Sequence, residues 1–73
     1  MIRVENLEKG QQLSIDLEML NDRLPSKITK LLQSDSYGIW MGGYKIVDGG
    51  IALVLELSDG TKCWFLENEL SIL

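Results

Sequence analysis

The sequence contains no histidine and only one cysteine, Cys63. Histidine is the commonest metal ligand and general base in proteins, and metal sites built on cysteine use clusters of them. A single cysteine cannot form an internal disulfide, which favours a reducing, intracellular compartment. No glycine-rich turn opens a helix with a lysine behind it, as a phosphate-binding loop requires. We therefore expect no catalytic residues, no metal site and no cofactor.

Long hydrophobic runs and an excess of positive charge are missing as well. The longest nearly apolar run, residues 51–55, is far too short to span a bilayer. Residues 1–10 contain no apolar run of signal-peptide length. The net charge of -4 argues against non-specific nucleic-acid binding, which depends on a basic surface. These absences predict a soluble protein that binds no nucleic acid and reaches a membrane only through a partner.

The length of 73 residues allows one domain with a small core. The apolar share of 45% and the charged share of 25% are ordinary for a globular protein and exclude the disordered class. Residues 1–10 show no clear period, which leaves a loose lead-in or an extra strand open. We expect the folded domain to occupy residues 11–73.

Residues 11–17 alternate apolar and polar side chains, which is the period of a strand. The polar stretch 19–24 ends at Pro25 and is predicted as a loop. Ser26 is then expected to cap a short helix that runs to residue 32. Its apolar positions have i, i+3, i+4 spacing and form one apolar face.

The second half of the chain reads as a series of short strands. In order, it predicts a bent strand at 37–47 broken by Gly42-Gly43, a turn at 48–50, a strand at 51–57, a returning strand at 61–66, a helical turn at 67–70 and a terminal strand at 71–73. Asp59-Gly60 predicts a two-residue type I′ hairpin, because both central residues of that turn need positive φ.

These elements together predict a mostly β protein. We expect a small SH3-like barrel of about five strands with one short helix in the first long loop. Closing the sheet into a barrel also removes the exposed edges that invite aggregation.

The sequence resembles the PetP family, small peripheral subunits of the cytochrome b6f complex in cyanobacteria and red algae. The resemblance is carried by LSDGTKCWFLENEL at 57–70, preceded by YKIVD at 44–48. DRL at 22–24 and the helix residues Ile28 and Leu32 also fit the family pattern. It extends from about residue 10 to residue 73.

The resemblance implies an SH3-like fold without catalytic residues. It also implies a protein on the cytoplasmic (stromal) side of the thylakoid membrane that binds the cytochrome b6f complex and tunes electron flow. An alternative is a ferredoxin-side docking subunit of another photosynthetic complex, since small SH3-like subunits there share the generic part of the pattern. An RNA-binding SH3-like domain is a third interpretation, disfavoured by the acidic balance.

The type I′ register places Trp64 opposite Leu55 and predicts that Trp64 lies in the core. Phe65 and Val54 then point to the other face as an apolar pair. This pair is either covered by the helix or by residues 1–10, or it forms a binding patch.

Two further sets of residues are candidates for partner binding. Trp40 and Tyr44 either form an aromatic docking surface or pack under the long loop. Arg23, Lys27 and Lys30 are three of the seven cations and lie close together in the chain. They form either a steering patch for an acidic partner such as ferredoxin or an ordinary solvated helix face.

Overall fold

The structure is a computed structural model that describes residues 4–20 and 23–73. Its strands are β1 (Gln11–Ile15), β2 (Tyr37–Val47), β3 (Gly50–Glu56), β4 (Lys62–Leu66) and β5 (Leu70–Ile72). One α-helix, α1 (Ser26–Ser34), and three short 3₁₀ helices (Val4–Asn6, Leu17–Leu20 and Glu67–Glu69) complete the described part. The strands form one antiparallel sheet in the order β4-β3-β2-β1-β5. The predicted mostly β, SH3-like fold is confirmed.

Strand β1 ends at Ile15, two residues earlier than its alternating pattern predicts. A carboxylate oxygen of Asp16 accepts a hydrogen bond from the Glu18 backbone N–H (3.1 Å), which turns the chain into the 3₁₀ helix Leu17–Leu20. Leu17 therefore leaves the strand, although it still packs against the core. Residues 21–22 of the predicted loop lie outside the described residues.

Helix α1 begins at Ser26, one residue earlier than capping by Ser26 predicts, and ends at Ser34, two residues beyond the predicted end. Its N-cap is Pro25, which makes no side-chain cap hydrogen bond, so the predicted capping by Ser26 is wrong. The Pro25 carbonyl accepts the backbone N–H groups of Ile28 and Thr29 instead. The apolar face is confirmed: Leu32 is buried in the core, and Ile28 packs against it.

Strand β2 bends where the glycine pair predicts it. The register with β3 shifts between Trp40 and Gly43, and Gly42 has a φ of 99°, a backbone conformation that favours glycine. At the far end, Val47 pairs with Gly50 across the two residues Asp48 and Gly49. Their φ values of 49° and 78° give the two-residue type I′ geometry.

The β3–β4 hairpin has a different turn from the one predicted. The Leu57 N–H donates to the Thr61 carbonyl (2.8 Å), which closes a three-residue loop at 58–60 with a positive φ only at Gly60. A carboxylate oxygen of Asp59 accepts the Thr61 N–H (2.9 Å) and stabilises this loop. The predicted type I′ turn at Asp59-Gly60 is therefore wrong, and the β3–β4 register differs by one residue.

The core lies on the inner face of the curled sheet. Its buried members are Leu13, Ile15, Leu20, Leu32, Trp40, Leu53, Leu55, Leu57, Phe65 and Leu70. Gly38 allows close packing here, because a Cβ at this position would lie 2.9 Å from the Leu55 Cβ.

The last strand closes the fold by pairing with the first, with Leu13 opposite Ile72. Before β1, Val4–Asn6 forms a 3₁₀ helix, and residues 1–3 lie outside the described residues. The division into residues 1–10 and 11–73 stays a prediction.

Candidate docking surfaces

The predicted aromatic pair is split between the core and the surface. Trp40 is only 5% exposed, and its indole Nε1 donates a hydrogen bond to the Gly43 carbonyl (3.0 Å). Tyr44 is 52% exposed and lies edge-on to Trp40, with 5.5 Å between the ring centroids. Trp40 therefore holds the bulged strand to the core, and Tyr44 is the member of the pair that a partner can reach. The RNA interpretation uses Trp40 and Tyr44 to stack bases, and of these two rings only Tyr44 is exposed.

The one-residue difference in register exchanges the two aromatic residues of β4. Phe65 lies opposite Leu53 and is fully buried, whereas Trp64 lies opposite Val54 and is half-buried. The predictions that Trp64 fills the core and that Phe65 points outward with Val54 are therefore wrong. Phe65 offers no surface for partner binding in this fold.

Arg23 is paired with a carboxylate of the protein and does not belong to a free basic patch. Its guanidinium forms an ion pair with the buried carboxylate of Glu69, which also accepts the Leu66 backbone N–H (2.8 Å). The guanidinium carbon lies 4.1 Å from the centroid of the Trp64 ring, and the Lys45 ammonium lies 5.5 Å from it. These contacts join the loop before α1 to the end of β4. We call Arg23, Trp64 and Glu69 the arginine lock.

Lys27 and Lys30 are both exposed on helix α1. The three cations that are close in sequence thus have two different environments, with two free in solvent and Arg23 in the arginine lock. A steering patch on this helix depends on the two lysines alone.

Cys63 lies half-buried beside the arginine lock. Burial raises the pKa of its thiol above the ordinary 9.0, against the opposing effect of the Arg23 charge. The thiol form therefore prevails near neutral pH, which is the opposite of the activation that a nucleophilic cysteine needs.

A shallow groove crosses the outer face of the sheet at the β2 bulge. It has a volume of about 190 Å³ and is lined by Met41, Gly43, Val54, Leu55, Glu56 and Lys62. Small-molecule sites usually occupy about 300–1,000 Å³. The groove therefore suits a side chain of a partner better than a whole ligand.

The β2–β3 hairpin carries an exposed apolar surface that the sequence did not single out. Ile46 is 70% exposed and Ile51 is 42% exposed, and the two lie directly opposite each other next to the Asp48-Gly49 turn. Tyr44 lies two residues before Ile46 on the same face of β2. We call Tyr44, Ile46 and Ile51 the hairpin patch. Its sequence signal is a pair of isoleucines that flank an Asp-Gly turn.

The described residues contain neither a metal-binding cluster nor a membrane-spanning helix. Within residues 4–20 and 23–73, no group of three or more histidine, cysteine, aspartate or glutamate side chains is placed to hold a metal ion. In the same residues, no helix has the length and apolar character needed to cross a membrane.

The fold and these surfaces define a small SH3-like β domain. The family model described as cytochrome b6f, subunit Tsr0524-like, matches residues 10–71. The chain belongs to this family, the PetP family, which associates it with the cytochrome b6f complex. Comparisons with curated proteins and with solved structures give no match.

Proposed function

We propose that the protein is a non-catalytic, peripheral subunit that docks on the cytoplasmic (stromal) side of the cytochrome b6f complex and tunes electron transport at the thylakoid membrane. The observation that carries this proposal is the family match over residues 10–71, which includes all five strands and the helix apart from the last residue of β5. In this proposal the membrane is reached through the complex.

The non-catalytic role is supported by what the reactive side chains do. The buried carboxylate of Glu69 is occupied by the Arg23 guanidinium and a backbone N–H. The thiol of Cys63 has a raised pKa because it is half-buried. The sequence supplies no histidine to act as a base for either group.

The proposed effect on electron flow follows from binding. A subunit of this kind passes no electrons itself, so it changes the rate by altering the conformation of the complex or the access of soluble electron carriers to it. The change in rate requires that the protein is bound to the complex, so its size depends on the affinity of the protein for the complex.

The proposal is tested by affinity purification of the tagged full-length protein from its native cells in mild detergent. Cytochrome b6f subunits are expected to co-purify with it, and their absence in repeated preparations would refute the proposal. Protease added to the outside of sealed thylakoid vesicles tests the side, since a subunit on the stromal side is cleaved. A strain without the protein is expected to re-reduce cytochrome f at an altered rate.

The ferredoxin alternative remains a separate proposal that depends on the exposed pair Lys27 and Lys30. Two lysines form a weaker steering surface than the three cations expected from the sequence, because Arg23 is paired. Titration of the isotope-labelled protein with ferredoxin at low salt tests it. Unchanged amide resonances in α1 would contradict this alternative.

A further inference from the structure

The hairpin patch is exposed because the neighbouring strands stop short of it. Strand β1 starts at Gln11, opposite Trp40, so β2 has no β1 neighbour beyond that point. Strand β4 ends at Leu66, opposite Ala52, so β3 has no β4 neighbour beyond that point. Among the described residues, the end of the β2–β3 hairpin is thus a two-stranded ribbon that extends past the neighbouring strands.

The patch continues the inner, core-forming face of the sheet into solvent. Along β3 that face carries Leu55 and Leu53, both fully buried, and then Ile51. Across the hairpin, Tyr44 is paired with Leu53 and Ile46 with Ile51. Isolated two-stranded hairpins are marginally stable in water and need further strands or packing against an apolar face. A projecting ribbon with apolar residues on its core face is typical of a surface that a partner covers.

The charge distribution indicates an uncharged partner surface. The chain has a net charge of -4, but residues 37–55 contain only two charged residues, Lys45 and Asp48, which cancel. The other charged residue of the two strands, Glu56, lies at the opposite end of β3, so the acidic excess lies away from the hairpin patch. A partner that presents an apolar recess matches this part of the molecule, whereas a strongly basic or acidic surface does not.

The size of the patch disfavours a second copy of the chain as the main occupant. Three partly exposed side chains offer on the order of 300 Å², whereas a stable interface buries about 800 Å² on each partner. A symmetric dimer that joins the two patches face to face gains apolar contacts from these side chains alone. A recess on a larger partner also contacts the flanks of the hairpin, with Lys45 and Asp48 at its solvated rim, and so buries more area than the patch itself.

We propose that the end of the β2–β3 hairpin is the docking element, and that Tyr44, Ile46 and Ile51 insert into an apolar recess on a protein subunit of the cytochrome b6f complex. This inference rests on the proposed function and specifies the docking surface, to which the helix lysines do not contribute. The central apolar side chains supply most of the binding energy in such an interface.

The test compares two variants of the full chain in binding to cytochrome b6f complex purified from cells that lack this protein. The first variant is Ile46→Thr with Ile51→Thr, which keeps β-branched side chains in the strands. The control is Ile72→Thr, an equally apolar and 55% exposed position on β5. The double variant is expected to bind at least tenfold more weakly, and the control within twofold of wild type.

Each outcome of this comparison decides a different question. Wild-type binding with an unchanged double variant would overturn the hairpin proposal and leave the proposed function intact. Failure of the wild-type chain itself to bind would refute the proposed function. Equal losses in the double variant and in Ile72→Thr would overturn the assignment of the hairpin as the docking element.

A second measurement uses only the wild-type chain and so does not depend on the folding of a variant. In an NMR titration with the complex, the amide resonances of residues 44–51 are expected to broaden before those of α1. Prior broadening in α1 would overturn the proposal. Vesicles of galactolipid and phosphatidylglycerol test whether the hairpin binds a lipid surface instead. The proposal would also be overturned if the double variant lost binding to these vesicles but bound the complex as tightly as wild type.

Discussion

A double-mutant cycle on the arginine lock tests whether it holds the long loop to the barrel. The two variants are Arg23→Met, which keeps an apolar side chain against Trp64, and Glu69→Gln, which removes the buried charge. Arg23→Met leaves the Glu69 carboxylate buried with only the Leu66 N–H as a hydrogen-bond donor among the described residues. Removing one partner of a buried ion pair costs about 3–5 kcal/mol, and the partial exposure of Arg23 favours the lower end of that range.

Glu69→Gln is expected to cost less, about 1–2 kcal/mol, because solvent still reaches part of the Arg23 side chain. In the double variant no charge is left buried and unpaired, so its cost is expected to be well below the sum of the single variants. The resulting coupling energy is about 2–3 kcal/mol.

Urea unfolding followed by circular dichroism measures these differences. With a slope of about 1–3 kcal/mol per molar, a loss of about 3 kcal/mol lowers the midpoint by about 1–3 M. Lys27→Met, on the exposed side of α1, is the control and is expected to change the free energy of unfolding by less than about 0.5 kcal/mol. A coupling energy under about 0.5 kcal/mol would refute the reasoning, because the ion pair would then contribute nothing that solvent does not replace.

Three further predictions concern the core and the thiol. Phe65→Ala is expected to lower the free energy of unfolding by about 3–5 kcal/mol, because Phe65 is fully buried. Trp64→Ala is expected to cost less, and a larger loss for Trp64→Ala in urea unfolding would show that Trp64 fills the core. Gly38→Ala is expected to lower the free energy of unfolding by about 1–3 kcal/mol, because the new Cβ would contact the buried side chain of Leu55. Gly50→Ala is the control, since a Cβ has room there, and equal melting temperatures of the two variants would contradict the close approach at Gly38. Cys63 is expected to react with iodoacetamide more slowly in the folded than in the urea-unfolded protein at pH 8, because burial raises its pKa. The stability linked to this thiol is complete below its ordinary pKa of 9.0 and declines as the pH rises above it; equal alkylation rates in the two states would argue against the raised pKa.

The sequence predicts the order of elements well but not the register of one hairpin. Two Asp-Gly pairs follow apolar strands, at 48–49 and at 59–60, and only the first forms the type I′ turn. At the second, the Asp59 carboxylate bonds to the Thr61 N–H and favours a three-residue loop. The pattern of apolar and polar residues does not distinguish the two-residue turn from the three-residue loop. The choice between them decides which aromatic residue of β4 enters the core.

The candidate docking residues were predictable only in part, for similar reasons. Tyr44 is exposed as the docking interpretation of the sequence requires, but Trp40 is buried. The sequence places Arg23 near Lys27 and Lys30, whereas its ion-pair partner Glu69 is 46 residues away. The exposure of Ile46 depends on where other strands end, and a strand pattern carries no information on the length of its neighbours.

The pairing of β5 with β1 has a consequence for how the protein is made. The first strand lies between β2 and β5 in the sheet, so its second row of hydrogen bonds is formed only by the last strand. Until residues 70–72 have left the ribosome, one edge of β1 is open and Leu70 is missing from the core. The hairpins β2–β3 and β3–β4 have local contacts and can form during synthesis, but the cooperative domain cannot close until β5 has been made. A nascent chain stalled before Leu70 should therefore remain sensitive to protease.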